Sequence, residues 1–133
     1  MIKSLNVKTA SRSEFVDITS EIQQLVDESG IKEGICYVYV PHTTAGVTIN
    51  EGADPSVVDD ILKTLNKLIP HNAGYSHIEE NSDSHIKTAM VGTSQSIIID
   101  KGKLQLGTWQ SIFFCEFDGP RSRKVIVKFI PDN

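Results

Sequence analysis

Seven residues, Gly34 to Val40, constrain the fold of this chain more than any other stretch. Side chains along a strand point alternately to opposite faces. Cys36, Val38 and Val40 therefore share one face, and Ile35, Tyr37 and Tyr39 share the other. A strand that is apolar on both faces has to be covered on both, by a helix layer, a second sheet or a neighbouring subunit. Pro41 ends the run.

The rest of the chain is read around that strand. Ile2 to Lys8 forms a first strand, with Ile2, Leu5 and Val7 as its apolar positions. Phe15 and Val16 lead into a helix capped by Asp17. Its face is Ile18, Ile22, Leu25 and Val26, and Gly30 follows the last turn. After the polar connection His42 to Gly46, Val47 to Ile49 resumes as a strand. A second helix has Asp54 as N-cap, Pro55 at its first position and Pro70 as its stop. Its apolar stripe is Val58, Ile61, Leu62, Leu65, Leu68 and Ile69. A short third helix carries Ile86 and Met90 and ends at Gly92. Further strands are expected over Ser96–Ile99, Lys103–Leu106, Ser111–Phe117 and Lys124–Ile130, joined by turns. The whole is an α+β fold, one domain over residues 1–133. Its sheets are mostly antiparallel and sandwich-like, with two longer helices and one short one.

A net charge of −4 gives no electrostatic reason to expect nucleic acid or an anionic membrane. No apolar run is long enough to span a bilayer, and Met1 to Asn6 lacks the core of a signal peptide. Cys36 and Cys115 lie in strand-like apolar runs, so reduced, buried thiols and a cytoplasmic location are expected.

The chemistry concentrates in His77-Ile78-Glu79-Glu80-Asn81-Ser82-Asp83-Ser84-His85. So dense a set of ligand-type side chains suits a site for a metal ion or a charged substrate. His77 and His85 would lie about 26 Å apart in a strand and about 12 Å apart in a helix. The chain must bend between them if they cooperate. Asn81-Ser82-Asp83 supplies turn and N-cap residues for that bend, which puts His85 in the first turn of the third helix.

His42, His77 and His85 are the candidate metal ligands, because three imidazoles with an open position make a catalytic zinc shell. His71, beside Pro70, reads as an exposed loop residue. Glu51, Asn81, Asp83 and Gln110 are candidate catalytic groups, to manage a proton or orient a ring substrate. Thr43, Thr44, Asn50 and Arg121 are candidate substrate contacts, with Arg121 suited to a phosphate. Asp54 is read as a cap before anything else, and Trp109 as a core anchor.

Four ordered motifs carry a resemblance to a known family. They are His42-Thr43-Thr44-Ala45-Gly46-Val47-Thr48-Ile49-Asn50-Glu51, Asn81-Ser82-Asp83-Ser84-His85, Leu106-Gly107-Thr108-Trp109-Gln110 and Asp118-Gly119-Pro120-Arg121. Together they resemble the YjbQ family, also named secondary thiamine-phosphate synthase. The resemblance covers essentially the whole chain. It implies a homotrimer and a polar pocket built around His42, His77 and His85, near a subunit boundary. It also implies an activity: joining hydroxymethylpyrimidine diphosphate to thiazole phosphate, with release of pyrophosphate. Histidine ligands favour Zn²⁺ or another transition metal, and a diphosphate substrate makes Mg²⁺ the alternative. The competing readings are a metal-dependent hydrolase of a phosphate or amide, and a non-catalytic metal- or ligand-binding trimer.

Overall fold

The computed structural model describes residues 2–133. The order of elements is β1 Ile2–Lys8, β2 Glu14–Asp17, α1 Thr19–Ser29, β3 Gly34–Tyr39, β4 Ala45–Glu51, α2 Pro55–Leu68 and α3 Ser82–Val91, followed by β5 Ser94–Asp100, β6 Lys103–Leu104, β7 Gln110–Glu116 and β8 Ser122–Pro131. Two sheets form from them. One runs β1-β8-β3-β5-β6 and the other β2-β7-β4. Every pairing is antiparallel.

The core lies between the sheets. Cys36 and Val38 of β3, Ile97 and Ile99 of β5 and Val125, Val127 and Phe129 of β8 meet Val47 of β4 and Ile112 and Phe114 of β7. Ile22 and Val26 of α1 close one side of this cluster. Fully burying such a side chain stabilises by roughly 1.5–3 kcal/mol. Both cysteines are free and buried. Burial pushes the Cys36 thiol up to about 12, so it stays a protonated, unreactive packing group.

The strand covered on both faces is β7. Ile112 and Phe114 enter the main core, while Phe113 and Cys115 point the other way and form a second cluster with Phe117. Phe15, Val58, Leu65 and Val91 pack against that cluster from β2, α2 and α3. On β3 one face is buried as expected, but Ile35, Tyr37 and Tyr39 on the other each keep about two-fifths of their surface exposed. No element among the described residues packs over them.

Three local expectations change. Phe15 and Val16 belong to a strand, β2, because they pair with Cys115 and Phe114 of β7. The helix after them starts at Thr19 with Ile18, not Asp17, at the N-cap; Asp17, one residue earlier, accepts from the Thr19 N–H and hydroxyl at 3.0 and 2.6 Å. Asp54 does cap α2, accepting from the Ser56 N–H at 3.0 Å, yet no α2 residue is fully buried and Leu68 is 68 % exposed. Helix α3 is inverted relative to its hydropathy. It buries Asp83, Ser84, Lys87 and Thr88 and leaves Met90 64 % exposed. No helix among the described residues is long and apolar enough to cross a membrane.

Candidate functional site

The polar side of α3 is buriable because its charges cancel. Asp83 and Lys87 are four residues apart, one helical turn, and form an ion pair at 3.0 Å. Arg12 adds a two-pronged contact, Nη1 to Oδ2 at 3.1 Å and Nη2 to Oδ1 at 3.0 Å. Lys87 Nζ also donates to Asn66 Oδ1 at 2.7 Å. Burial works to raise the Asp83 pKa, but the hydrogen bonds and charges of Arg12 and Lys87 outweigh it and hold the carboxyl at about 2. A carboxylate so thoroughly paired is a poor proton acceptor. It anchors the N-terminal turn of α3, and it takes no part in lining a cavity.

That turn forms one wall of a cavity of about 530 Å³. The second wall is the segment after β3, with Pro41, His42, Thr43 and Thr44, and the third comprises Arg121 and Arg123. Tyr39, Glu79, Asn81 and His85 complete the lining. A depression of similar size, lined by Asp17, Thr19, Ser20, Gln23, Leu104 and Leu106, carries no histidine or cation.

Each wall is braced from behind. Arg123 is buried and donates from Nε to Glu116 Oε1 at 2.9 Å, from Nη2 to Glu116 Oε2 at 2.5 Å, and from Nη2 to Thr44 Oγ1 at 2.9 Å. Thr9 Oγ1 donates to Glu116 Oε1 at 2.7 Å. Burial acts to raise the Glu116 pKa, and these donors overcome it, so the group stays ionised with its pKa lowered. Arg121 donates from Nη2 to Asp118 Oδ2 at 2.8 Å and from Nε to the Asp118 carbonyl at 2.7 Å, leaving a half-exposed guanidinium beside the cavity. The same Asp118 oxygen accepts from Asn81 Nδ2 at 2.9 Å. That contact sets the orientation of the Asn81 amide. Its Oδ1 is buried and has no partner among the described residues, a costly condition for a buried acceptor.

The histidines are brought together only in part. His77 and His85 stack edge to face with ring centroids 5.6 Å apart, so the chain does bend between them. His77 Nε2 is 3.8 Å from a Glu79 carboxylate oxygen. His42 shares the cavity with His85, and its Nε2 accepts from the Lys124 backbone N–H at 2.9 Å. Burial and the charge of Arg123 lower the His42 pKa. Among the described residues, no three His, Cys, Asp or Glu side chains are gathered in a way that could hold a metal ion. His71 donates from Nε2 to the Glu80 carbonyl at 2.6 Å and sits in the exposed segment that leads to His77.

The other candidates divide between the two ends of the β2-β7-β4 sheet. Thr43 and Thr44 lie at the cavity end, where Ala45 pairs with Glu116. Asn50, Glu51 and Gln110 lie at the opposite end, where Glu51 pairs with Gln110. Six steps along β4 separate these ends by about 20 Å. Glu51 accepts from the Ala53 N–H at 2.9 Å, Asn50 from the Glu51 N–H at 2.7 Å, and Gln110 from the Gly107 N–H at 2.8 Å. Within one chain these three shape turns and do not reach the cavity. Trp109 is 64 % exposed beside them, so it is no core anchor.

Of the lining residues, sequence reasoning misses Tyr39 and Arg123, and reaches Glu79 only as a member of the His77–His85 stretch. For Arg123 a signal existed: it shares the parity of Val125, Val127 and Phe129, and a charge on the buried parity of a strand demands a partner inside.

Two stacked antiparallel sheets with three helices make this an α+β protein. The chain belongs to the UPF0047 protein YjbQ-like family, whose model matches residues 3–132. A UPF0047 protein of Methanocaldococcus jannaschii is 57 % identical over 132 residues, 99 % of this chain and 96 % of its own. YugU of Bacillus subtilis is 47 % identical, with 98 % and 99 % covered. The fold is similar to the crystal structure of a YjbQ/UPF0047 family protein from Clostridium acetobutylicum, with TM-score 0.95, 54 % identity and 96 % and 99 % of the two chains covered. It is equally similar, at TM-score 0.95 and 35 % identity over 99 % and 97 %, to a protein of unknown function from Sulfolobus solfataricus.

Proposed function

We propose that the cavity binds a phosphorylated small molecule and that the chain is an enzyme acting on it. The reaction proposed is the coupling of hydroxymethylpyrimidine diphosphate to thiazole phosphate. The observation that carries the reading is the convergence of Arg121, Arg123, His42 and the first turn of α3 on one polar cavity. Arginine forks and helix N-terminal N–H groups both suit phosphoryl oxygens.

In the coupling, the thiazole nitrogen attacks the pyrimidine methylene carbon, a C–N bond forms, and the C–O bond breaks as pyrophosphate leaves with the electron pair. Arg121 and the α3 N–H groups would take up the charge that grows on the leaving group. Glu79 and His85 are the titratable side chains placed to orient or exchange a proton. The histidines are not gathered into a three-imidazole shell. A divalent cation here would instead enter with the diphosphate, as Mg²⁺ does. We also propose that the chain is a homotrimer, with the open face of Ile35, Tyr37, Tyr39 and Ile98 covered by a second copy.

The test is product formation. Purified protein incubated with both precursors and Mg²⁺ is expected to make thiamine phosphate above an Arg121→Ala control. No product above that control counts against the transferase. Phosphate or pyrophosphate released from the pyrimidine diphosphate alone would mark a hydrolase instead.

A further inference from the structure

We propose that His42 is a hydrogen-bond donor with a fixed tautomer, its proton on Nδ1, and that this N–H recognises a phosphoryl oxygen in the cavity and does not ligate a metal ion. The proposal rests on the phosphate reading of the cavity given above.

The pairing of β3 with β8 stops at Tyr39 and Ile126. Two residues further along β8, the Lys124 N–H finds no β3 strand residue opposite it. The ring of His42, three residues past the end of β3, takes that place, with Nε2 2.9 Å from the Lys124 nitrogen. A backbone N–H can only donate, so Nε2 must present its lone pair. A neutral imidazole has one lone-pair nitrogen and one N–H. The proton is therefore on Nδ1.

Metal binding conflicts with this arrangement at either nitrogen. An ion on Nε2 would displace the Lys124 N–H and strand a backbone donor. An ion on Nδ1 would force the proton to Nε2, setting N–H against N–H. Either way the Lys124 bond is lost and a backbone donor loses its partner. No described residue accepts from Nδ1, and the ring lines the cavity with Arg121, Arg123, Thr43 and Thr44. A neutral N–H among these groups adds a donor without a third repelling charge beside the two arginines.

The test is ¹⁵N NMR on the labelled full-length protein near neutral pH, with His42 assigned by comparison with His42→Asn. The expected pattern is a protonated Nδ1 and an unprotonated Nε2 that zinc chloride leaves unchanged, and inorganic pyrophosphate is expected to shift the Nδ1 resonance. A protonated Nε2, or ligation shifts at His42 on adding zinc, overturns the proposal. Pyrophosphate that moves the Arg121 and Arg123 resonances but not His42 also overturns it, while leaving the phosphate cavity standing. Pyrophosphate that moves none of them overturns both. In a parallel binding titration, His42→Asn, which keeps an N–H near the Nδ1 position, is expected to hold pyrophosphate more tightly than His42→Ala, by up to about tenfold. Equal loss in the two variants contradicts a donor role.

Discussion

Asp83 and Arg121 are both charged and both near the N-terminus of α3, yet burial gives them opposite roles. Asp83 is wholly inside, with two cations on its carboxylate. Removing its charge leaves Lys87 buried and half-paired. Asp83→Asn is expected to lose about 3–5 kcal/mol in urea denaturation. The wild-type chain should show the same dependence in acid. The folded carboxyl titrates at about 2 against an ordinary 3.8, so its stabilisation is whole above pH 3.8 and fades as pH falls toward 2. About 2 kcal/mol is at stake in that window, and unfolding midpoints measured from pH 5 to pH 2 would trace it. Arg121 is half exposed and paired with Asp118 at the rim. Arg121→Ala should cost under about 1 kcal/mol of stability and show its effect in ligand binding. Arg123 resembles Asp83: Arg123→Met would leave Glu116 buried without its cation and should destabilise by about 3–5 kcal/mol. If Arg121→Ala proved the more destabilising of the two arginine changes, the assignment of rim and interior would be wrong.

Helix α3 shows what hydropathy alone misses. Its apolar residues Ile86 and Met90 point outward, and its inner face is a set of polar groups that satisfy one another. Lys87→Met is therefore expected to destabilise more than Met90→Gln, although it is the change that adds hydrophobicity. Thermal melts of the two variants would decide the order. The strands were legible because alternation exposes them: β1 has the bounds read from sequence, and β3, β5, β7 and β8 differ by a residue or two at their ends. Four-residue β2 was not legible, since Phe15 and Val16 give too short an alternation beside a helix. Of the site, the bend between His77 and His85 and the Asp54 cap followed from local residue chemistry. The separation of Glu51 and Gln110 from the histidines did not, because only strand register places them at the far end of the sheet. Arg12, between Ser11 and Ser13, carries no local mark of its contact with Asp83, 71 positions away. The turn after β7 also depends on a close approach: a Cβ on Gly119 would run into the Ser11 carbonyl oxygen. Gly119→Ala should cost about 1–3 kcal/mol.

The whole molecule has one covered sheet and one open one. Helices α2 and α3 lie over β7 and β4, whereas the outer face of the five-stranded sheet leaves Ile35, Tyr37 and Tyr39 about two-fifths exposed and Ile98 62 % exposed. If a second copy covers that face, sedimentation should give about three times the 14.7 kDa chain mass, and a single-chain mass would contradict the trimer. Tyr39 belongs to that face and also lines the cavity, so assembly and ligand binding meet at one residue. On the proposed reading, the cavity end of the sheet, not its opposite end, takes the phosphorylated ligand. Calorimetric titration of inorganic pyrophosphate into the wild type, Arg121→Ala and Glu51→Gln tests it most directly. The wild type and Glu51→Gln are expected to bind alike, and Arg121→Ala about tenfold or more weakly. Binding lost equally in Glu51→Gln and Arg121→Ala, or absent from the wild type, would contradict it.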